Sequence, residues 1–318
     1  MTVILIIAVI LLFAFLGTSL YMFRFACLRK TPVKSVWDSD ELFAEADKIY
    51  VECSDEVTAM RRSLRQAAMD GEKLSVTSYD GLRLAARLVP PANGEARGIV
   101  AMFHGYRSSH AIDFGIIAEE LRRLGFMLLL ADQRAHGESE GKYITYGVHE
   151  RHDVLSWCSL LEERYPSLPV ILFGLSMGAS TVMMASELSL PANVKGIVAD
   201  CGYTSPDDIC RKVMKVDLHM PAFPIYYGAS MMTRMIARFG FKEASAPSAL
   251  KNLSLPLLII HGEDDKFVPH EMGVTNSRAA GEKCDFVSFP GAGHGQSYIT
   301  DPEKYVSAVA SFIMKVGI

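Results

Sequence analysis

Gly174-Leu175-Ser176-Met177-Gly178 offers a hydroxyl flanked by two residues without side chains. The apolar run Pro169 to Phe173 precedes it, and small or apolar residues from Ala179 to Leu188 follow. That order predicts a buried strand, a tight turn and a helix, the context of a nucleophile elbow. Glycines at 174 and 178 permit close backbone approach. The helix expected from Met177 would aim N–H groups at an atom bonded to the Ser176 oxygen. Gly137-Glu138-Ser139-Glu140-Gly141 fits the same pattern, but it is charged, follows no strand directly and precedes Lys142-Tyr143-Ile144-Thr145-Tyr146. Ser139 therefore reads as loop.

A serine hydroxyl becomes a nucleophile when a base takes its proton and a third group orients that base. Histidine suits the task because its pKa lies near neutrality. In a strand-alternating architecture the order is serine, acid, histidine. The histidines after Ser176 are His219, His261, His270 and His294. Only His294 stands in a glycine-rich segment, Pro290 to Gly295, after a final strand expected over Cys284 to Phe289. His261 ends its strand ahead of the acids, His219 falls in an irregular segment, and His270 begins a helix. For the acid, spacing leaves Glu263, Asp264 and Asp265 open.

The elements that must carry these groups follow from periodicity. Leu74–Ser78 and Leu82–Val89 alternate around Tyr79-Asp80-Gly81, a hairpin signal. Gly98–Phe103, Phe126–Ala131, Val194–Ala199 and Pro256–Ile260 read as buried strands, with helices over about 111–124, 148–164 and 302–315 between or after them. Strands alternating with helices imply a mostly parallel, doubly wound α/β sheet, with residues 74–89 adding antiparallel edge strands. Ligands bind at the carboxyl ends of such strands, where His104, Asp132, Ser176 and Asp200 fall. From about 203 to 253 the alternation gives way to a Met-, Tyr- and Pro-rich stretch, expected as a helical lid insertion with an adaptable apolar lining.

Composition narrows the class. The chain has 318 residues, half of them hydrophobic, and a formal net charge of −4. That balance, without a basic patch, argues against a nucleic-acid partner. The six cysteines form no C-x-x-C pair and no zinc-ligand spacing, so they read as free thiols of a reducing compartment. From Thr2 to Phe23 no side chain is charged, enough apolar length to span a bilayer. Met1-Thr2 is too short for a basic n-region, and bulky Leu20-Tyr21-Met22-Phe23 is a poor cleavage site. Residues 1–23 are therefore expected to be an uncleaved transmembrane anchor, 24–72 a polar helical connector, and 73–318 the folded domain. Helix starts are expected at Ser39-Asp40-Glu41 and Ser54-Asp55-Glu56. Arg24, Arg29, Lys30 and Lys34 follow the span and no basic side chain precedes it, which puts the domain in the cytoplasm.

Taken together, His104-Gly105, Asp132-x-Arg134-x-His136-Gly137-x-Ser139, Gly174-x-Ser176-Met177-Gly178, His261-Gly262-x-x-Asp265-x-x-Val268-Pro269 and Gly293-His294 resemble the α/β-hydrolase superfamily over residues 74–316. The resemblance is closest to the monoacylglycerol-lipase and serine-aminopeptidase-like branch. It implies Asp265 as the acid, backbone N–H groups of Tyr106 and Met177 as an oxyanion hole, and structural roles for Asp132, Arg134 and His136. The motifs specify fold and triad and are nearly silent about substrate. The ordered Ser176, Asp265 and His294 set, with an apolar lid and a bilayer anchor, leads to the expectation of a membrane-anchored serine hydrolase that cleaves an ester or thioester of a small-molecule acyl substrate, with no cofactor and no metal. An amidase or aminopeptidase would use the same triad and would want a lid carboxylate for the substrate ammonium, for which Asp207, Asp208 and Asp217 are candidates. A non-enzymatic scaffold would be expected to have lost a member of the triad.

Overall fold

Six-residue apolar segments bounded by Gly, Pro and polar residues are too short for stable helices and bury both faces as parallel strands. The computed structural model, which describes residues 1–30 and 55–318, has eight of them or their partners in one sheet. These are β1 (Glu72–Thr77), β2 (Arg83–Val89), β3 (Gly98–Phe103), β4 (Phe126–Ala131), β5 (Val170–Leu175), β6 (Val194–Asp200), β7 (Leu257–Gly262) and β8 (Cys284–Phe289). The order is β1-β2-β4-β3-β5-β6-β7-β8. β2 pairs antiparallel with both β1 and β4, and the remaining pairs are parallel. The antiparallel hairpin expected over 74–89 is β1 and β2, joined by the tight turn at 78–82, with β1 at the sheet edge and β2 between β1 and β4.

Helices cover both faces. On one, α2 (Asp55–Asp70), α3 (His110–Arg123) and α11 (Pro302–Lys315) bury Leu64, Ile117 and Phe312 against the sheet. On the other, α4 (Glu150–Arg164), α5 (Met177–Ala185), α8 (Ala246–Leu250) and α9 (His270–Ala280) bury Trp157, Val182, Leu250 and Ala280. A further short helix, α10 (Ser297–Thr300), leads into α11. The helix start expected at Ser54-Asp55-Glu56 is that of α2, with Asp55 and Glu56 in its first turn. The one expected at residues 39–41 lies outside the described residues.

Between β6 and β7 the insertion folds as α6 (Pro206–Lys212), a π-type turn (Val213–Asp217), α7 (Ile225–Met232), a second π-type turn (Thr233–Ala237) and α8. α1 (Thr2–Cys27) is continuous, and from Val3 to Phe13 its large apolar side chains are exposed. It is long and apolar enough to cross a membrane. Its far end is different. α1 extends past Phe23, and Met22, Phe23 and Cys27 are buried, the last two within the core that backs the sheet. Leu28 bridges to Tyr143, and α1 crosses α7 so closely that a Cβ on Gly228 would stand 1.9 Å from Ser19 Oγ.

Candidate active site

Ser176 sits between β5 and α5 with φ 56° and ψ −114°, a backbone region that is strained for a residue with a side chain. The strain persists because its neighbours over-determine it. A Cβ on Gly174 would lie 2.2 Å from Gly178 O, and one on Gly178 would lie 1.7 Å from Phe103 O. The Ser176 N–H donates to Asp200 O at 2.8 Å, tying the elbow to the end of β6. The turn is therefore welded to the ends of β3 and β6, and the hydroxyl projects from the rim of the sheet.

Two other strand-exit loops reach that hydroxyl. His294, after β8, has Nε2 at 2.9 Å from Ser176 Oγ and Nδ1 at 2.7 Å from Asp265 Oδ2. The carboxylate fixes the tautomer, because it can only accept: Nδ1 carries the proton and Nε2 is left to accept from the serine. Asp265 is buried, whereas Glu263 and Asp264 are exposed, with Glu263 accepting from Ser288 Oγ at 2.7 Å. Burial alone would push the Asp265 carboxyl up. The imidazoles of His261 and His294 and the Val268 N–H outweigh it and hold the group well below the usual carboxylate range. Its Oδ1 accepts from Phe267 N–H at 2.9 Å and Val268 N–H at 2.8 Å. His261 Nε2 donates to Val268 O at 2.9 Å and lies 3.4 Å from Asp265 Oδ2. Dismissed as a base because it precedes the acids, His261 stands behind the carboxylate instead. Their i, i+4 spacing is no signal for that contact, because it marks neighbours on a helix and these residues lie on a strand end and a loop.

The loop after β3 is held on both sides of the Tyr106 amide. Gly105 N–H donates to Asp113 Oδ2 at 2.6 Å, and Arg107 N–H donates to His136 Nε2 at 3.0 Å. A Cβ on Gly105 would be 3.3 Å from Ser176 Cβ, so the loop passes directly beside the serine. The Met177 amide, first in α5, is among those a helix leaves without an internal partner. His136 Nδ1–H donates to Arg134 O at 2.9 Å, and burial drives its pKa well below the usual imidazole value, so it is a neutral acceptor for the loop. His104 is likewise kept neutral by burial, its pKa lowered to about 4. Arg134 clamps Asp153 at 2.6 Å and Asp80 at 2.9 Å. Asp113 escaped sequence reasoning entirely. It is one polar residue inside α3, and nothing local marks it as facing the loop.

Above the serine lies a cavity of about 350 Å³, lined by Tyr106, Tyr146, Met214, Tyr226 and Phe241 among others and by Ser176. Its wall is almost wholly apolar, the character of a small-ligand pocket. The three carboxylates considered for an ammonium are engaged. Asp207 accepts from Arg211 at 2.8 Å and from Tyr226 OH, Asp208 accepts from Thr204 and Ser205 at 2.6 Å each, and Asp217 pairs with Lys212 at 2.8 Å. Among the described residues two donor groups are close enough to share a cation. Cys201, Asp265 and His294 belong to the hydrogen-bonded set just described. In His104, His110 and Asp132, the first already accepts from Gln133 N–H through Nε2 at 3.2 Å. The five described cysteines are free thiols.

A parallel-rich sheet with a strained serine elbow after its fifth strand, and acid and histidine on later exit loops, is the α/β-hydrolase fold. The comparisons agree. The model of the serine aminopeptidase S33 family matches residues 94–224. A monoacylglycerol lipase of Mycolicibacterium smegmatis is 24% identical over 265 residues, 72% of this chain and 91% of that protein. YqkD, an uncharacterised protein of Bacillus subtilis, is 24% identical over 248 residues, 74% of this chain and 81% of its own length. The Pyrococcus furiosus esterase Pf2001 superposes with a TM-score of 0.62 at 23% identity, covering 77% of this chain and 92% of that one. The chain has the α/β-hydrolase fold, and the proteins it resembles in sequence and in structure include lipases and esterases of the monoacylglycerol-lipase-like branch.

Proposed function

We propose that this protein hydrolyses carboxylic esters or thioesters of apolar acyl substrates through an acyl-enzyme on Ser176. The observation that carries the reading is the continuous Ser176–His294–Asp265 hydrogen-bond line opening into an apolar cavity. His294 Nε2 takes the hydroxyl proton as Oγ attacks the acyl carbon. The resulting alkoxide lies against the N–H groups of Tyr106 and Met177, each contributing about 3 kcal/mol to the barrier if lost. The imidazolium, held by Asp265, returns its proton to the leaving alcohol or thiol. Water then attacks the acyl-enzyme by the same route in reverse and frees the carboxylic acid.

Asp207, Asp208 and Asp217 are each already paired, which favours ester over aminopeptidase chemistry, since none of these three is free to receive an ammonium. In the same reading α1 is a retained membrane anchor, residues 24–72 a connector, and residues 73–318 a catalytic domain with 203–253 as its lid. Retention is supported by the burial of Phe23 and Cys27 in the domain, which a cleaved signal would leave uncovered. The basic flank of Arg24, Arg29, Lys30 and Lys34 supports a cytoplasmic domain. The test is labelling with a fluorophosphonate and turnover of p-nitrophenyl acyl esters against aminoacyl anilides, in wild type and Ser176→Ala. Ester turnover and labelling that vanish together in the variant support the reading; labelling that persists refutes it. Intact mass of the membrane-extracted protein tests retention of α1.

A further inference from the structure

We infer that the last turns of α1 are a working part of the acyl site and set which acyl chains it accepts. This rests on the serine-hydrolase reading above. The cavity that ends on Ser176 is walled on one side by Met22, Phe25 and Ala26. Met22 belongs to the charge-free segment that reads only as an anchor, and Phe25 and Ala26 follow it on the same helix. At about 350 Å³ the cavity is at the small end for ligand pockets, so one side chain on that wall changes a large share of its room.

The helix end is built into the site. A helix leaves its last carbonyls without internal partners, and here the domain supplies them. Tyr106 OH and Tyr146 OH both donate to Ala26 O, at 2.7 and 2.9 Å. The Arg107 guanidinium donates to Phe25 O at 2.6 Å and Leu28 O at 3.1 Å, and Ile144 N–H donates to Cys27 O at 2.7 Å. Arg29 reaches back to Ser139 O at 2.6 Å. The cation of Arg107 also suits the negative end of the helix dipole. Two of these donors, Tyr106 and Arg107, flank or carry the amide assigned above to the oxyanion hole, so the helix end braces that loop through its side chains while Asp113 and His136 brace it through its backbone.

From Val3 to Phe13 α1 is an exposed apolar rod, and the same helix packs on α7 at Ser19 before its end walls the pocket. The ligand class is an acyl ester whose chain lies along Met22, Phe25 and Ala26 with its carbonyl at Ser176. Chain-length preference is then written partly in the anchor.

The experiment uses the full-length protein in detergent and reads the ratio of kcat/KM for p-nitrophenyl decanoate to that for p-nitrophenyl acetate. Ala26→Leu, which keeps the backbone carbonyl and fills the wall, is expected to lower the ratio at least tenfold. Phe25→Ala, at a position 40% exposed, opens the wall and is expected to raise the ratio severalfold. Ile10→Ala, on the exposed stretch of the same helix, is expected to give the wild-type ratio. An active enzyme with the same ratio in all four proteins overturns this inference alone, and if Ala26→Leu does not fold, the Phe25→Ala ratio decides. A wild-type protein that cleaves neither ester overturns the serine-hydrolase reading and this inference with it.

Discussion

The chain carries Gly-x-Ser-x-Gly twice, at 137–141 and at 174–178, and the two serines meet opposite fates. Both are buried. Ser176 is strained, with φ at 56°, and its oxygen faces an imidazole. Ser139 has its hydroxyl consumed by backbone: it donates to Asp132 O at 2.6 Å and accepts from Ala85 N–H at 2.8 Å, locking the loop after β4 onto β2. None of its hydrogen bonds is to the side chain of an acid or a histidine. A pentapeptide does not confer nucleophilicity. A hydroxyl becomes reactive where its hydrogen-bond capacity is left for a base, and becomes a structural rivet where the backbone claims it.

The comparison can be broken most decisively by exchanging one serine at a time. Ser176→Ala is expected to lower kcat for ester hydrolysis by roughly 10⁴-fold or more, as loss of a nucleophile does elsewhere, and to abolish fluorophosphonate labelling. Retained labelling in that variant would erase the contrast between the two pentapeptides. Asp265→Asn is expected to cost about 10⁴-fold in kcat, because an amide can stabilise the wrong imidazole tautomer.

The same acid has a pH signature. Its folded-state pKa is depressed, so the stability it contributes is full above the ordinary carboxylate range and disappears as pH falls through the folded value. The Tm gap between wild type and Asp265→Asn should therefore shrink as pH is lowered from 7 toward 3, and a gap independent of pH would contradict the assigned hydrogen bonding.

His136→Leu removes the acceptor of the Arg107 amide while leaving the Ser176 line intact. It is expected to lower kcat by about 10- to 100-fold, less than outright loss of an oxyanion donor, with labelling slowed rather than lost. The smallest effect belongs to the rivet. Ser139→Ala strands the buried Ala85 N–H and is expected to cost about 1–3 kcal/mol of stability, read as a lowered Tm, while fluorophosphonate labelling persists. Loss of labelling in a folded Ser139→Ala protein would mean the second pentapeptide is not merely structural.

Much of this was legible in one dimension, where a local pattern sufficed. β3 and β4 follow their apolar runs residue for residue, because a buried parallel strand is continuous hydrophobic sequence, and the half-buried edge strand β8 also keeps its expected bounds. Ser176 and His294 could be named from turn chemistry and order along the chain. Choosing Asp265 over Glu263 and Asp264 required a family resemblance, since three adjacent acids look alike until one turns inward. Asp113 and the pairing of His261 with Asp265 left no decisive local mark.

α1 divides the two kinds of knowledge. Its unbroken apolar composition determined a helix suited to a bilayer, because helix length and hydrophobicity are properties of the segment alone. Only the tertiary structure decided that the helix ends inside the domain, with Ala26 O accepting from Tyr106 and Tyr146, residues 80 and 120 positions away. Contacts of that kind depend on where loops from distant strands converge, and convergence follows from packing of the whole sheet, which no short window of residues encodes.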